Sequence, residues 1–284
     1  MSSLFDFDKP ALYAVMGNPV SHSKSPRIHG LFAAQTGQRL NYTAIQVDVG
    51  GFDQAVSNFI AHGGKGLNVT VPFKRNAWSL ADTRSPRAEL AQAVNVLVVK
   101  DGGGLHGDNT DGVGLVSDIV NNHHGVIADK TVLLLGAGGA ASGVLGPLLE
   151  QRPRSVLIAN RTVDRAYDLA QTFSHLGNVE GGGYPDLTGR QFDLVINATA
   201  ASLRGELPPL PDRLLRPGTW CYDMMYGAAP TPFMAWAANQ GATAVLDGLG
   251  MLVEQAAESF LLWRGVRPRT AEVIDILRGE LGRI

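Results

Sequence analysis

Short apolar runs bounded by polar or glycine-rich stretches recur along the chain. Runs at 12–16, 41–47, 66–71 and 94–100 are too short for helices and rich in aliphatic and β-branched residues, which predicts strands. Helical periodicity follows the first three, so this half reads as an α/β unit. Glycines at 102–104 close it, and a helical stretch over 113–121 comes next. Its start, GDNTDG, puts carboxylates where a helix N-terminus favours negative charge. That stretch reads as a hinge.

From Thr131 the order becomes strand, glycine turn, helix, strand: TVLLLGAGGAA, a helix through Leu149, SVLIANRT, and an Ala- and Leu-rich helix. Further buried-strand patterns occur at FDLVINAT, TWCYDMM and TAVLDG, as a mostly parallel sheet requires. The GGGY segment around Gly182 reads as a loop. Two closing helices, at 250–260 and 270–281, follow a unit that is already complete and are assigned back to the first domain. The predicted fold class is thus α/β with two domains: 1–110 with 248–284, and a Rossmann-like domain over 111–247. A length of 284 residues fits two domains, and there is no internal repeat.

Composition narrows the function classes. With 45% hydrophobic and 18% charged residues the chain is of ordinary globular type. A net charge of −2 and the lack of a Lys/Arg block argue against nucleic acid as a partner. No apolar run is long enough to span a bilayer, and the N-terminus lacks the basic start of a secretory signal. The one cysteine, Cys221, excludes an intrachain disulfide framework and suits a reducing compartment, so a cytoplasmic protein is expected. The seven histidines show no metal-ligand spacing, so no metal is expected.

The turn LLLGAGGAA matches G-x-G-x-x-A at Gly136, Gly138 and Ala141, after a strand and at the opening of a helix. Small residues there let backbone N–H groups approach a pyrophosphate, and the helix terminus adds positive potential. At the end of the next strand, where NAD-binding proteins carry an acid, stand Asn160, Arg161 and Thr162, with Arg165 a turn later. Guanidinium groups pair with a 2′-phosphate, which favours NADP as cofactor. The alternative is a solvated helix start, although cations there oppose the helix dipole.

Two further polar clusters, GNPVSHSKSP (17–26) and NVTVPFK (68–74), each follow a strand. Ser23, Ser25, Asn68 and Thr70 can together hold a small polyhydroxylated acid; singly, each suits a turn or a cap. These clusters, with GDNTDG, GAGGAA, NRTxxR, NAT and DGLGMLVEQAA, follow one another in the order and spacing of shikimate dehydrogenases, from Gly17 to Ala257. The chain resembles that family. The resemblance implies a catalytic pair, Lys74 and Asp111, and substrate contacts from Ser23, Ser25, Asn68, Thr70, Asn95, Tyr226 and Gln255. It also implies that Gly136, Ala137, Gly138, Gly139, Ala140, Asn160, Arg161, Thr162, Arg165, Met224 and Gly248 border the cofactor, the last two near the nicotinamide. The implied activity is NADP-dependent interconversion of 3-dehydroshikimate and shikimate in a cleft between the domains, by a monomer or homodimer.

The chemistry of the pair agrees. Carbonyl reduction needs a proton donor at the developing alkoxide, and an ammonium serves both as donor and as electrostatic partner, with a carboxylate to orient it. In the oxidising direction the lysine must first lose its proton; a neighbouring carboxylate opposes that and desolvation favours it. Taken alone, Lys74 also suits a surface lysine and Asp111 a helix cap. His22 fits a local turn, and Asp108 a cap or a support behind the site. Departures from the family pattern are Asn95 in AVNVLV, where Asn-Thr is common, and AASLRG after NAT. Competing activities are a quinate/shikimate dehydrogenase, a relative acting on an amino analogue, and a non-catalytic NADP-binding sensor.

Overall fold

The computed structural model describes residues 9–282. The chain divides into two compact units, one running to Thr110 and taking Ala256–Val273, the other taking Asp111–Gln255 and the residues from Ile274 onward.

The first unit is built on a mixed six-stranded sheet. Its elements are β1 (Ala11–Gly17), α1 (Ser25–Thr36), β2 (Leu40–Gln46), α2 (Phe52–Ala61), β3 (Gly64–Val69), α3 (Lys74–Leu80), β4 (Thr83–Arg84), α4 (Pro86–Ala91), β5 (Val96–Val99) and β6 (Leu105–Asp108). The sheet order is β2-β1-β3-β5-β6-β4. β1 pairs in parallel with β2 and β3, whereas β5 runs antiparallel to β3 and β6. Parallel neighbours need helical crossovers, which α1 and α2 supply, while β5 and β6 join through the glycine turn, with Gly102, Gly103 and Gly104 all at positive φ. Met16, Leu67, Val69, Phe73, Ala77, Val94 and Leu97 form the core.

Because β5 is reversed, the C-terminal ends of β1, β3 and β6 and the N-terminal start of β5 lie at the same edge of the sheet. The polar residues that follow or precede these strands are gathered there. Neither β4 nor β6 is predicted from the sequence: β4 has two residues, and LHGD lacks a run of apolar positions. β6 exists because Gly107 lets it press on the core, where a Cβ would come within 2.7 Å of Val94 Cγ2.

The second unit holds α5 (Asp111–Ser117), extended by a π-helical turn over Asp118–Asn122, then β7 (Thr131–Leu135), α6 (Gly139–Glu150), β8 (Ser155–Ala159), α7 (Val163–Phe173), β9 (Val179–Gly182), β10 (Phe192–Asn197), β11 (Leu215–Asp223), α8 (Pro232–Asn239) and β12 (Ala244–Asp247). All strands are parallel, in the order β12-β11-β10-β7-β8-β9. This is the doubly wound order, whose reversal between β7 and β10 is where ligands of such sheets bind. β7 is buried on both faces, which explains its continuous apolar sequence.

One sequence expectation is corrected here. The glycine-rich stretch read as a loop is in part a strand, β9, paired with β8. Its glycines serve close approach: a Cβ on Gly181 would lie 2.5 Å from the backbone of Ala166 in α7. Glycine-rich strands carry no apolar alternation, so periodicity misses them.

The chain closes with α9 (Leu249–Arg264) and α10 (Ala271–Leu281). The segment after Asp247, assigned as a whole to the first domain from the sequence, is divided between the units within α9. The start of α9 packs on α5 and its extension, with Gly114 against Gln255 and Gly250 against Asp118. In α10, Arg278 grips Asp247 through both carboxylate oxygens, at 2.5 and 2.6 Å. No described helix is long and apolar enough to cross a membrane.

Candidate active site

Within the first unit, the shared sheet edge collects Ser23, Ser25, Asn68, Thr70 and Asn95 of the predicted substrate residues. Asn68 sits near the end of β3 and is buried. Its Oδ1 accepts from the Tyr42 hydroxyl at 2.7 Å, and its Nδ2 donates to Ser259 Oγ at 3.0 Å and to the Asn95 carbonyl at 3.3 Å. Asn95, just before β5, is held twice by Thr110: its Nδ2 donates to Oγ1 at 2.9 Å and its Oδ1 accepts from the N–H at 2.8 Å. Ser25 opens α1, and its N–H donates to Ser23 Oγ at 3.3 Å. Thr70 follows β3, with its N–H on the Met16 carbonyl at 2.9 Å. Gly17 passes so close that a Cβ there would come within 2.4 Å of Thr70 Cγ2, which brings the two sequence clusters together.

Lys74 is half-buried at the first position of α3. A cation there opposes the helix dipole, so helix stability does not account for it. His22 is exposed. Asp108 is a structural anchor: Arg87 binds both its oxygens at 2.7 Å, and Ser85 and the Asn109 N–H also donate to it. Burial by itself raises the Asp108 carboxyl, but Arg87, Ser85 and Asn109 together carry it below the usual carboxylate value.

In the second unit, Gly136 follows β7 with φ +104°, and a Cβ would meet Thr199 and Ala198 at 3.2 and 3.3 Å. The turn therefore lies at the sheet's switch point, beside the end of β10. Gly138 and Gly139 are exposed, with open space where their Cβ atoms would be. Ala137 and Ala140 flank them, partly exposed. The first N–H groups of α6 have no acceptor within the helix, so a turn stripped of side chains leaves them accessible to an anion.

At the end of β8, Asn160 bonds through Nδ2 to the Thr162 carbonyl at 2.8 Å. Arg161, Thr162 and Arg165 are exposed. Met224 and Gly248 are adjacent, the glycine's Cα lying against the Met224 backbone. Tyr226 is half-buried, and burial, with a further push from the Asp247 charge, raises its phenol pKa. Asp111 opens α5 and is buried; Gln255 donates to the Leu252 carbonyl at 2.7 Å.

A second polar cluster in this unit is absent from the sequence reading. Asp223, at the end of β11, accepts from Asn197 (3.1 Å), Ser202 (2.8 Å), Thr231 (2.5 Å) and the Met225 N–H (3.1 Å). It ties the NAT segment and the loop after it to the backbone beside Met224. Burial raises its carboxyl above the usual value, against the pull of those donors. Tyr42, Ser259 and Thr110 also escape the sequence reading. An aspartate at a strand's C-terminal end is the available signal for Asp223; the other three look like ordinary strand or helix residues until the fold places them.

A glycine turn at a Rossmann switch point, flanked by exposed arginines, and a separate polar cluster on a mixed sheet define a two-unit α/β dinucleotide-binding protein. Residues 15–97 match the shikimate dehydrogenase substrate binding domain, 118–204 the shikimate/quinate 5-dehydrogenase model and 248–278 the shikimate 5′-dehydrogenase C-terminal domain. A shikimate dehydrogenase (NADP(+)) of Nitrosococcus oceani is 57% identical, with 96% of each chain covered. The crystal structure of an Ael1 enzyme from Pseudomonas putida superposes with a TM-score of 0.89 at 46% identity, covering 94% of this chain and 98% of the other. The shikimate 5-dehydrogenase of Thermus thermophilus, solved with NADP(H) and shikimate, gives 0.84 at 30% identity, covering 95% and 100%. The chain belongs to the shikimate dehydrogenase family.

Proposed function

We propose that the protein catalyses the reversible NADP-dependent reduction of 3-dehydroshikimate to shikimate. The observation that carries this reading is the match, over nearly the whole chain, to relatives named for this reaction and this cofactor. Gly138 and Gly139 leave the start of α6 open to a pyrophosphate, and Arg161 and Arg165 suit a 2′-phosphate where an acid would repel it. The residues present thus fit NADP, which when bound supplies or accepts the hydride.

The chain's own residues do the remaining work. Ser23 and Ser25 bind the substrate carboxylate through their hydroxyls and the start of α1. Asn68, Thr70 and Asn95 hold ring hydroxyls, and Tyr226 and Gln255 complete the substrate contacts. In reduction, the Lys74 ammonium gives its proton to the oxygen that gains negative charge, and Asp111 orients the ammonium. In oxidation the neutral amine accepts the hydroxyl proton. Met224 and Gly248 line the nicotinamide end. The first unit thus supplies Lys74 and most of the substrate contacts, and the second supplies the cofactor turn together with Asp111, Tyr226 and Gln255.

The test is reduced-nicotinamide absorbance with shikimate or quinate offered against NADP or NAD in all four combinations. Turnover concentrated in the shikimate and NADP pair supports the reading. Comparable turnover with quinate assigns the protein to the broader-specificity branch, and none in any combination by folded protein removes the reading.

A further inference from the structure

The amide of Asn68 is more tightly specified than a substrate contact requires. A carboxamide offers two N–H donors and two acceptor lone pairs. Here both donors are taken, by Ser259 Oγ and the Asn95 carbonyl, and one lone pair is taken by the Tyr42 hydroxyl. The Asn95 carbonyl only accepts, so it selects which end of the amide faces it; reversing the amide would set oxygen against oxygen. Tyr42 then has to donate, and among the described residues no second donor meets Asn68 Oδ1 at hydrogen-bond distance.

Tyr42 is equipped to remain a donor. It is buried, and burial raises its phenol pKa well above the ordinary value; Ser25 opposes the shift, which places that hydroxyl beside the phenol. Its ring is stacked on His29, with centroids 4.3 Å apart and planes 8° from parallel. His29 is itself buried among Phe32, Phe260 and Trp263. Among the described residues neither ring nitrogen meets a partner at hydrogen-bond distance; burial pushes the imidazole down to about 3, against an upward pull from Asn68. His29 is therefore a neutral flat wedge that fixes the plane of the phenol.

We propose that Tyr42 is a positioning residue of the substrate site: its hydroxyl, braced by His29, fixes the Asn68 amide so that Asn68 meets the ligand as a hydrogen-bond acceptor for a hydroxyl group. This rests on the shikimate reading above. It makes Tyr42 a determinant of selectivity for a polyhydroxylated acid, since a ligand with an ether or carbonyl at that position has no proton to give Asn68.

Tyr42→Phe removes the hydroxyl and keeps the ring on His29. The expected result is a rise in KM for shikimate of roughly three- to tenfold, the range of one net hydrogen bond, with the KM for NADP and the melting temperature close to wild type. In an Asn68→Ala background the same substitution has no further effect on shikimate binding, measured by calorimetry, because its action passes through Asn68. An unchanged KM in Tyr42→Phe, an equal rise in the KM for NADP, or a full effect persisting in the Asn68→Ala background overturns the proposal. Wild-type protein that turns over no shikimate removes the functional reading first, and the role of Tyr42 with it.

Discussion

Gly248 lies so close to Met224 that a Cβ on the glycine would come within 2.2 Å of the Met224 carbonyl oxygen and 2.6 Å of its carbonyl carbon. Backbone, unlike the end of a flexible side chain, cannot step aside. The Gly248 N–H also donates to the Met225 carbonyl at 3.0 Å, so the two segments are bound as well as packed.

Gly248→Ala is therefore expected to destabilise the protein by about 1 to 3 kcal/mol, the usual range for overpacking. Because the displaced segment is proposed to line the nicotinamide end, kcat should fall too. Urea denaturation and steady-state kinetics check both; wild-type stability would contradict the packing.

Lys74→Ala and Asp111→Asn are expected to lower kcat by roughly 10²- to 10⁴-fold, the contribution typical of a positioned proton donor. NADP binding, followed by quenching of intrinsic fluorescence, should survive in both. Loss of cofactor affinity along with turnover would mean that the residues are structural.

Removing Arg161 and Arg165 together is expected to raise the KM for NADP roughly tenfold to a hundredfold, as loss of charge-assisted hydrogen bonds does. The KM for NAD should change little, because NAD lacks the 2′-phosphate. A parallel loss for both cofactors would point to damage of the helix start instead.

Arg87→Ala leaves the Asp108 carboxylate buried without its cation, with Ser85 and the Asn109 N–H as the donors that remain to it among the described residues. The expected cost is about 3 kcal/mol at neutral pH. Arg87 helps to hold Asp108 below its unfolded value, so this stabilisation is present above the unfolded pKa of about 4 and is lost as pH falls through the folded pKa. Urea midpoints of wild type and variant should thus converge in acid and separate above it; parallel curves at every pH would refute the assignment.

Cys221 is fully buried on β11, and burial pushes its thiol up to about 12. Alkylation by iodoacetamide at neutral pH should proceed only through unfolding, because the thiolate is the nucleophile. Rapid modification of native protein would show that β11 opens locally.

Much of this is legible in the chain. Apolar runs locate β1, β3 and β7, and GAGGAA after a strand marks the dinucleotide turn, because each is a local pattern with a local cause. The rest depends on contacts distant in sequence. β6 is invisible because it offers a single apolar residue, Leu105, to the core and owes the rest of its seat to Gly107 pressing on Val94 and Ala81. β9 reads as a loop because its glycines answer to α7. Asp223 gains its significance from Asn197, Ser202 and Thr231, none of which is adjacent to it in the chain.

The sequence by itself determined the fold class, the glycine turn at the end of β7, the arginines after β8 and the polar clusters at the ends of β1 and β3. Side-chain type and spacing suffice for these, since strand, turn and helix start are set over a few residues. Only the tertiary structure decided how those residues are held. It paired Tyr42 with Asn68 across β1, joined Asn68 to Ser259 from the far end of the chain, and used the reversed β5 to bring Asn95 to the same sheet edge. Such pairings follow from strand order and register, which depend on packing the whole sheet, and no local pattern encodes them.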